Sequence, residues 1–161
     1  MIVVSDTSPL TNLAVVGQLD VLKNIYGRVF IPDAVAEELR AAEMEGLYPP
    51  FLDRTSWLER RAVRDRASAA QLLGKLDLGE AEAIILAIEV HADLLLVDER
   101  IGHGVAVERG IRTVGLLGTL IVAKRRRLIP AVKPLLDELV AKAGFWVGKD
   151  LYSEVLAQAG E

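Results

Sequence analysis

The chain has 161 residues, 52% of them hydrophobic, and carries a formal net charge of −4. That length suits one domain, 1–161, with a single sizeable core, and the apolar content excludes a disordered chain. With no cysteine and only two histidines, His91 and His103, disulfides, thiolate metal sites and a histidine-rich zinc centre are also excluded.

In chain order, "IVVS" (2–5) reads as a buried strand. Ser8 is placed to cap a helix with Pro9 at its first position, and Leu10, Leu13, Ala14, Leu19, Leu22 and Ile25 follow at helical spacing. Gly17 is expected to divide this segment into two helices and Gly27 to end the second. "RVFI" (28–31) predicts a second strand, and "PDAVAEELRAAE" (32–43) a helix begun by Pro32 and Asp33. "GLYPPFLD" (46–53) is a loop, since Pro49-Pro50 cannot be helical. "WLERRAV" (57–63) predicts a strand and 66–75 a helix. "LDLGEAEAIILAIEVHA" (76–92) predicts a helix, and "LLLV" (94–97) a strand ending at Asp98. "GVAVERG" closes a short helix and "IRTVG" (111–115) is a strand. Helices are expected near 116–127, 130–143 and 149–159. Strands alternating with helices imply βαβ units and a parallel sheet covered on both faces, an α/β class. No apolar run approaches the ~20 residues of a membrane span, "MIVVSDTS" lacks signal-peptide features, and a cytoplasmic location is the expectation.

Sites in open α/β sheets form beyond the carboxyl ends of strands. Asp6 and Asp98 each follow a predicted buried strand. If those strands are neighbours, two carboxylates meet at one sheet edge, where a cation relieves their repulsion. An Asp after a strand can also simply make a turn. Glu38 lies at the edge of the Val35, Leu39, Ala42 stripe, within reach of the sheet end; Glu37 points away. Asp77 and Glu80 have the spacing of a capping box, which gives both a structural role. Glu82 has no such role, and it starts a helix that is apolar on most sides. It stands either at the mouth of a cleft or where the helix dipole favours it. Glu99 could support or replace Asp98. Oxygen donors of this kind point to Mg2+ or Mn2+.

The stretches "VVSDTSPLTNLA", "VFIPDAVAEEL", "LDLGEAEAIILA", "LLLVDER" and "VGLLGTL", in this order, resemble the PIN-domain family. That family includes the VapC-type toxin ribonucleases of toxin–antitoxin pairs, and the likeness is to short prokaryotic members beginning V-x-D-T-S-P-L. It covers the chain from 1 to about 126. The resemblance implies a three-layer α/β/α sandwich around a mostly parallel sheet of four to five strands. It also implies Mg2+- or Mn2+-dependent cleavage of RNA phosphodiesters and, for a toxin, a cognate antitoxin. The family's acidic quartet falls on Asp6, Glu38, Glu82 and Asp98, as catalytic residues and metal ligands, with Thr7, Ser8 and Glu99 in support. Glu82 stands where an Asp is usual.

The acidic balance disfavours bulk attraction of a polyanion, but basic residues cluster locally. Arg60, Arg61, Arg64, Lys124, Arg125 and Arg126 are candidate RNA-backbone contacts, or else ordinary solvated charges. The apolar content suggests a homodimer. The helices from about 128 to 161, with Leu135, Leu136, Leu139, Val140 and "FWVG" (145–148), either pack on the domain or form its interface. A non-catalytic PIN-fold module that binds RNA or protein is the alternative. A phosphoacceptor domain would need paired acids after the first strand and a late Lys, and a Rossmann domain would need a Gly-rich loop; neither is present.

Overall fold

A computed structural model describes residues 1–161. The strands are β1 (Val3–Ser5), β2 (Val29–Pro32), β3 (Leu58–Arg61), β4 (Leu94–Leu96) and β5 (Thr113–Val114). The helices are α1 (Thr7–Val15), α2 (Asp20–Tyr26), α3 (Asp33–Met44), α4 (Arg66–Leu72), α5 (Leu78–Glu89), α6 (Arg100–Glu108), α7 (Leu116–Arg125), α8 (Lys133–Lys142) and α9 (Lys149–Gln158). The strands form one sheet in the order β3-β2-β1-β4-β5, every pairing parallel. Helical crossovers between consecutive strands supply the connections that parallel pairing requires. The result is a three-layer α/β/α fold.

Strand residues alternate between two cores. Val3, Val29, Ile31 and Leu96 face a core shared with α1, α2, α3, α7, α8 and α9. Val4, Phe30, Leu95 and Val97 face another, shared with α4, α5 and α6. Both faces are therefore covered, which is why these strands read as continuous apolar runs. The strand order reverses between β1 and β4, and the crevice beyond their carboxyl ends is the switch point where open sheets place ligands.

One cap differs from expectation. Helix α1 begins at Thr7, and the cap position is Asp6, extended at φ −76° and ψ 173°. The Asp6 N–H is still bonded to Leu96 O at 2.9 Å, so the chain turns into the helix directly from the sheet. Pro9 becomes the third helical residue, where its missing N–H is still one that no turn would use. The Ser8 hydroxyl instead accepts from Asn12 Nδ2 at 3.3 Å. Gly17 (φ +68°) and Gly27 (φ +76°) take the left-handed backbone that ends α1 and α2.

Leu135, Leu136 and Leu139 of α8 and Val155 of α9 are buried in the first core, whereas Val140 is exposed. Glu161 clasps this layer: its carboxylate accepts the N–H groups of Val132 and Lys133 and pairs with Lys124 at 2.9 Å. No helix is long and apolar enough to cross a membrane.

Candidate active site

Asp6 closes β1 and is 4% exposed. Burial pushes its carboxyl up to about 7; the Thr7 backbone N–H opposes the rise, and Asp77, Glu38 and Asp98 reinforce it. The charged groups that weigh most on Asp6 are thus all acids. Across the switch point, Asp98 Oδ1 accepts the Leu116 N–H at 2.7 Å, where α7 begins. Its Oδ2 is buried with no hydrogen-bond partner. Burial raises the Asp98 carboxyl, against the Leu116 N–H and with the help of Glu99. An unpaired buried carboxylate oxygen is costly, and a cation is the ordinary remedy.

Glu38 reaches the crevice from α3. The Thr7 hydroxyl donates to its Oε2, and its carboxylate lies over Gly79 at the start of α5. Burial raises this carboxyl too; Thr7 opposes, and Asp77 adds to the rise. The start of α5 differs from the sequence reading. Asp77 Oδ1 accepts the Glu80 N–H at 2.8 Å, which is half of a capping box. Glu80 does not complete the other half. It is 7% exposed, and its Oε2 lies where a Cβ on Gly102 of α6 would stand, at 2.8 Å. Burial, then the adjacent Asp77 and Asp6, push Glu80 up to about 8.

Glu82 is turned to one side. Its Oε1 accepts the Ala34 N–H at 3.1 Å, capping α3, although its charge still reaches Glu38. Asp6 is thus within electrostatic reach of Glu38, Asp77, Glu80 and Asp98, while Glu82 stands on the flank beside Glu38. Sequence reasoning passed over Glu80 and Asp77. The available signal was that Glu80 shares a helix face with Ala83, Ile84 and Ala87, all of them buried. Glu99 is exposed. Thr7 holds Glu38, and Ser8 lies in the cavity beside Asp98.

No three acidic or histidine side chains converge into a ready-made ion cage. The donors nevertheless suit a hard divalent ion. They are all oxygens, their repulsion is unrelieved, and one buried oxygen is orphaned. Mg2+ is typically held by one or two carboxylates and otherwise by water and phosphate. The N-termini of α1, α5 and α7 open at the same crevice, where their partial positive charge suits anions.

Most basic candidates lie elsewhere. Lys124, Arg125 and Arg126 sit at the far end of α7, about 15 Å along the helix from its start at the crevice. Lys124 pairs with Glu161, and Arg126 donates to Ile25 O at 2.8 Å. The Arg64 N–H bonds Glu89 at the end of α5 remote from Asp77 and Glu80. Arg61 pairs with Glu59 and lies over the Phe30 ring at 4.3 Å. Arg60 of β3 is bound to Asp33 at the start of α3 at 2.6 Å and lies near Glu37 at 3.7 Å.

Among curated proteins, none matches the chain. A family model described as a PIN domain matches residues 2–161. The sheet order, the acids beyond β1 and β4 and this match agree: the chain belongs to the PIN-domain family.

Proposed function

We propose that this chain is a Mg2+- or Mn2+-dependent endoribonuclease whose active site is the crevice beyond β1 and β4. PIN domains are generally nucleases, typically use divalent metals and commonly bind RNA. The observation that carries the reading is the pair Asp6 and Asp98: one carboxyl is buried among acids, and the other has a buried oxygen without a partner.

Asp6 and Asp98 are the residues to hold the ion, with Glu38 and Glu80 beside them and Glu82 at the margin. A divalent ion bound there lowers the pKa of a water and stabilises charge developing on the phosphate. The Leu116 N–H orients Asp98 so that Oδ2 is left as the donor. Thr7 and the Gly79 backbone fix the Glu38 carboxylate at the crevice, as the group that would accept a proton from the attacking water. The raised pKa of Glu38 suits a group that takes up and returns a proton.

RNA incubated with the protein and Mn2+ should be cut, and EDTA or the Asp6→Asn variant should stop the cutting. Absence of cleavage on varied single-stranded RNAs, or cleavage that survives Asp6→Asn, would overturn the proposal. The toxin of a toxin–antitoxin pair is its narrower form; growth arrest on expression, relieved by Asp6→Asn, is the mark of that role.

A further inference from the structure

Between α8 and α9 the chain passes through residues 143–148 without regular structure. Trp146 in this stretch is 85% exposed, the highest value among the large apolar side chains; the other tryptophan, Trp57, is 8% exposed. Its Cη2 stands 3.6 Å from where a Cβ on Gly148 would be, so the indole lies alongside the chain as it approaches α9. Trp146 lines a cavity of about 660 Å3 that it shares with Ser8, Asn12, Asp98, Glu99 and Gly115. That volume lies in the range of ligand pockets. The cavity therefore runs from an open aromatic ring to the carboxylate with the orphaned oxygen.

The lining limits the occupant. No Lys or Arg borders the cavity, and Asp98 and Glu99 are acidic, so a phosphate has no partner in the body of the pocket. The wall is mixed: Leu117, Phe145 and Leu151 lie beside Trp146, and an occupant apolar throughout would still bury Ser8, Asn12 and the two acids without satisfying them, which is costly. A nucleobase is planar and neutral and carries polar edges, so it fits both the indole and the polar wall. We infer that Trp146 is a stacking platform for an unpaired base of the nucleic-acid strand, next to the phosphate that an ion at Asp6 and Asp98 would hold. This inference rests on the nuclease reading for where the strand lies, but binding can be measured without cleavage. Stacking accepts any base and requires that it be unpaired, so the substrate class is single-stranded RNA or a loop, with little sequence preference at this position.

The test uses the full chain and a single-stranded hexaribonucleotide with phosphorothioate linkages, alone and annealed to its complement. Tryptophan emission and affinity are both recorded. The single strand should quench the emission and bind more tightly than the duplex. Trp146→Ala should weaken single-strand binding about tenfold, leave duplex binding unchanged and remove the quench. Trp146→Phe should keep most of the affinity while removing the quench. Trp146 is exposed, so neither variant threatens the fold. Single-strand affinity unchanged in Trp146→Ala would overturn the platform, as would a smaller sedimenting species in that variant without RNA, which would make Trp146 a protein contact. If Trp146→Ala weakens binding and Mn2+ still supports no cleavage, the platform stands and the nuclease reading fails. If RNA is cleaved and Trp146→Ala binds and cleaves like the wild type, the platform alone fails.

Discussion

The Glu38 carboxylate occupies the space that a side chain at Gly79 would fill: a Cβ there would stand 2.8 Å from both of its oxygens. The same arrangement recurs around the crevice. Glu80 Oε2 lies 2.8 Å from the Cβ position of Gly102, and Asp98 Oδ1 lies 3.0 Å from that of Gly115. Each of these acids is seated against a glycine in or beside the first turn of a helix.

Gly79→Ala separates fold from site. Alanine is a better helix former than glycine by about 1 kcal/mol, and the atoms in its way are the movable end of Glu38. Thermal stability should hold or rise slightly, while Mn2+ affinity and RNA cleavage fall about tenfold or more. Paired melting and activity assays check this; full cleavage in Gly79→Ala would show that the position of Glu38 does not matter.

Glu80 and Glu82 should behave differently. Glu80→Gln keeps the buried shape and removes a carboxyl that can ionise next to Asp6, so Mn2+ affinity at pH 8 and above should drop without loss of fold. Glu82→Ala removes the acceptor of the Ala34 N–H at the start of α3 and should cost about 1 kcal/mol of stability, with a smaller effect on Mn2+. Denaturant unfolding and metal titration of both variants decide which acid belongs to the site.

Asp98 and Glu99 are separated in the same way. Asp98→Asn retains an oxygen for the Leu116 N–H but presents an amide where a cation is expected, so cleavage should fall by at least about a hundredfold with the fold intact. Glu99 is exposed, and Glu99→Gln should lower activity only a few-fold. Steady-state rates of the two variants provide the comparison.

The pH dependence has a definite sign. Asp6 rises from 3.8 to about 7 on folding, and Glu80 from 4.5 to about 8. The folded chain therefore binds more protons than the unfolded one between about pH 4 and pH 8, and metal-free stability falls as pH rises through that window. For Asp6 alone the effect is at most roughly 4 kcal/mol. Mn2+ binds the deprotonated form, so its stabilising effect should grow over the same range. Melting curves in EDTA and in Mn2+ from pH 4.5 to 8.5 test this, and Asp6→Asn should flatten the EDTA series.

These differences track what a sequence can and cannot express. Gly17 and Gly27 ended their helices as expected, because a left-handed residue after a periodic run is a local signal. The positions of Asp6 and Asp98 were legible because both follow continuous apolar strands, and neighbouring parallel strands bring their ends to one edge. The start of α1 was misplaced because the Asp6 N–H stays bonded to Leu96, a partner ninety residues away. Glu80 was read as a cap for a similar reason. Its spacing from Asp77 is local, but the space that draws its side chain inward lies at Gly102 on another helix. The basic residues stay open between RNA contacts and solvated charges in the sequence, because sequence proximity does not show that Lys124–Arg126 occupy the end of α7 away from the crevice.

Mn2+ binding followed by the electron paramagnetic resonance of the free ion is the most direct measurement. The wild-type chain should remove Mn2+ from solution at pH 8, and the signal should return in Asp6→Asn and Asp98→Asn variants that remain folded by circular dichroism. A free-ion signal unchanged by wild-type protein, or removed equally by all three, would contradict an ion held between Asp6 and Asp98.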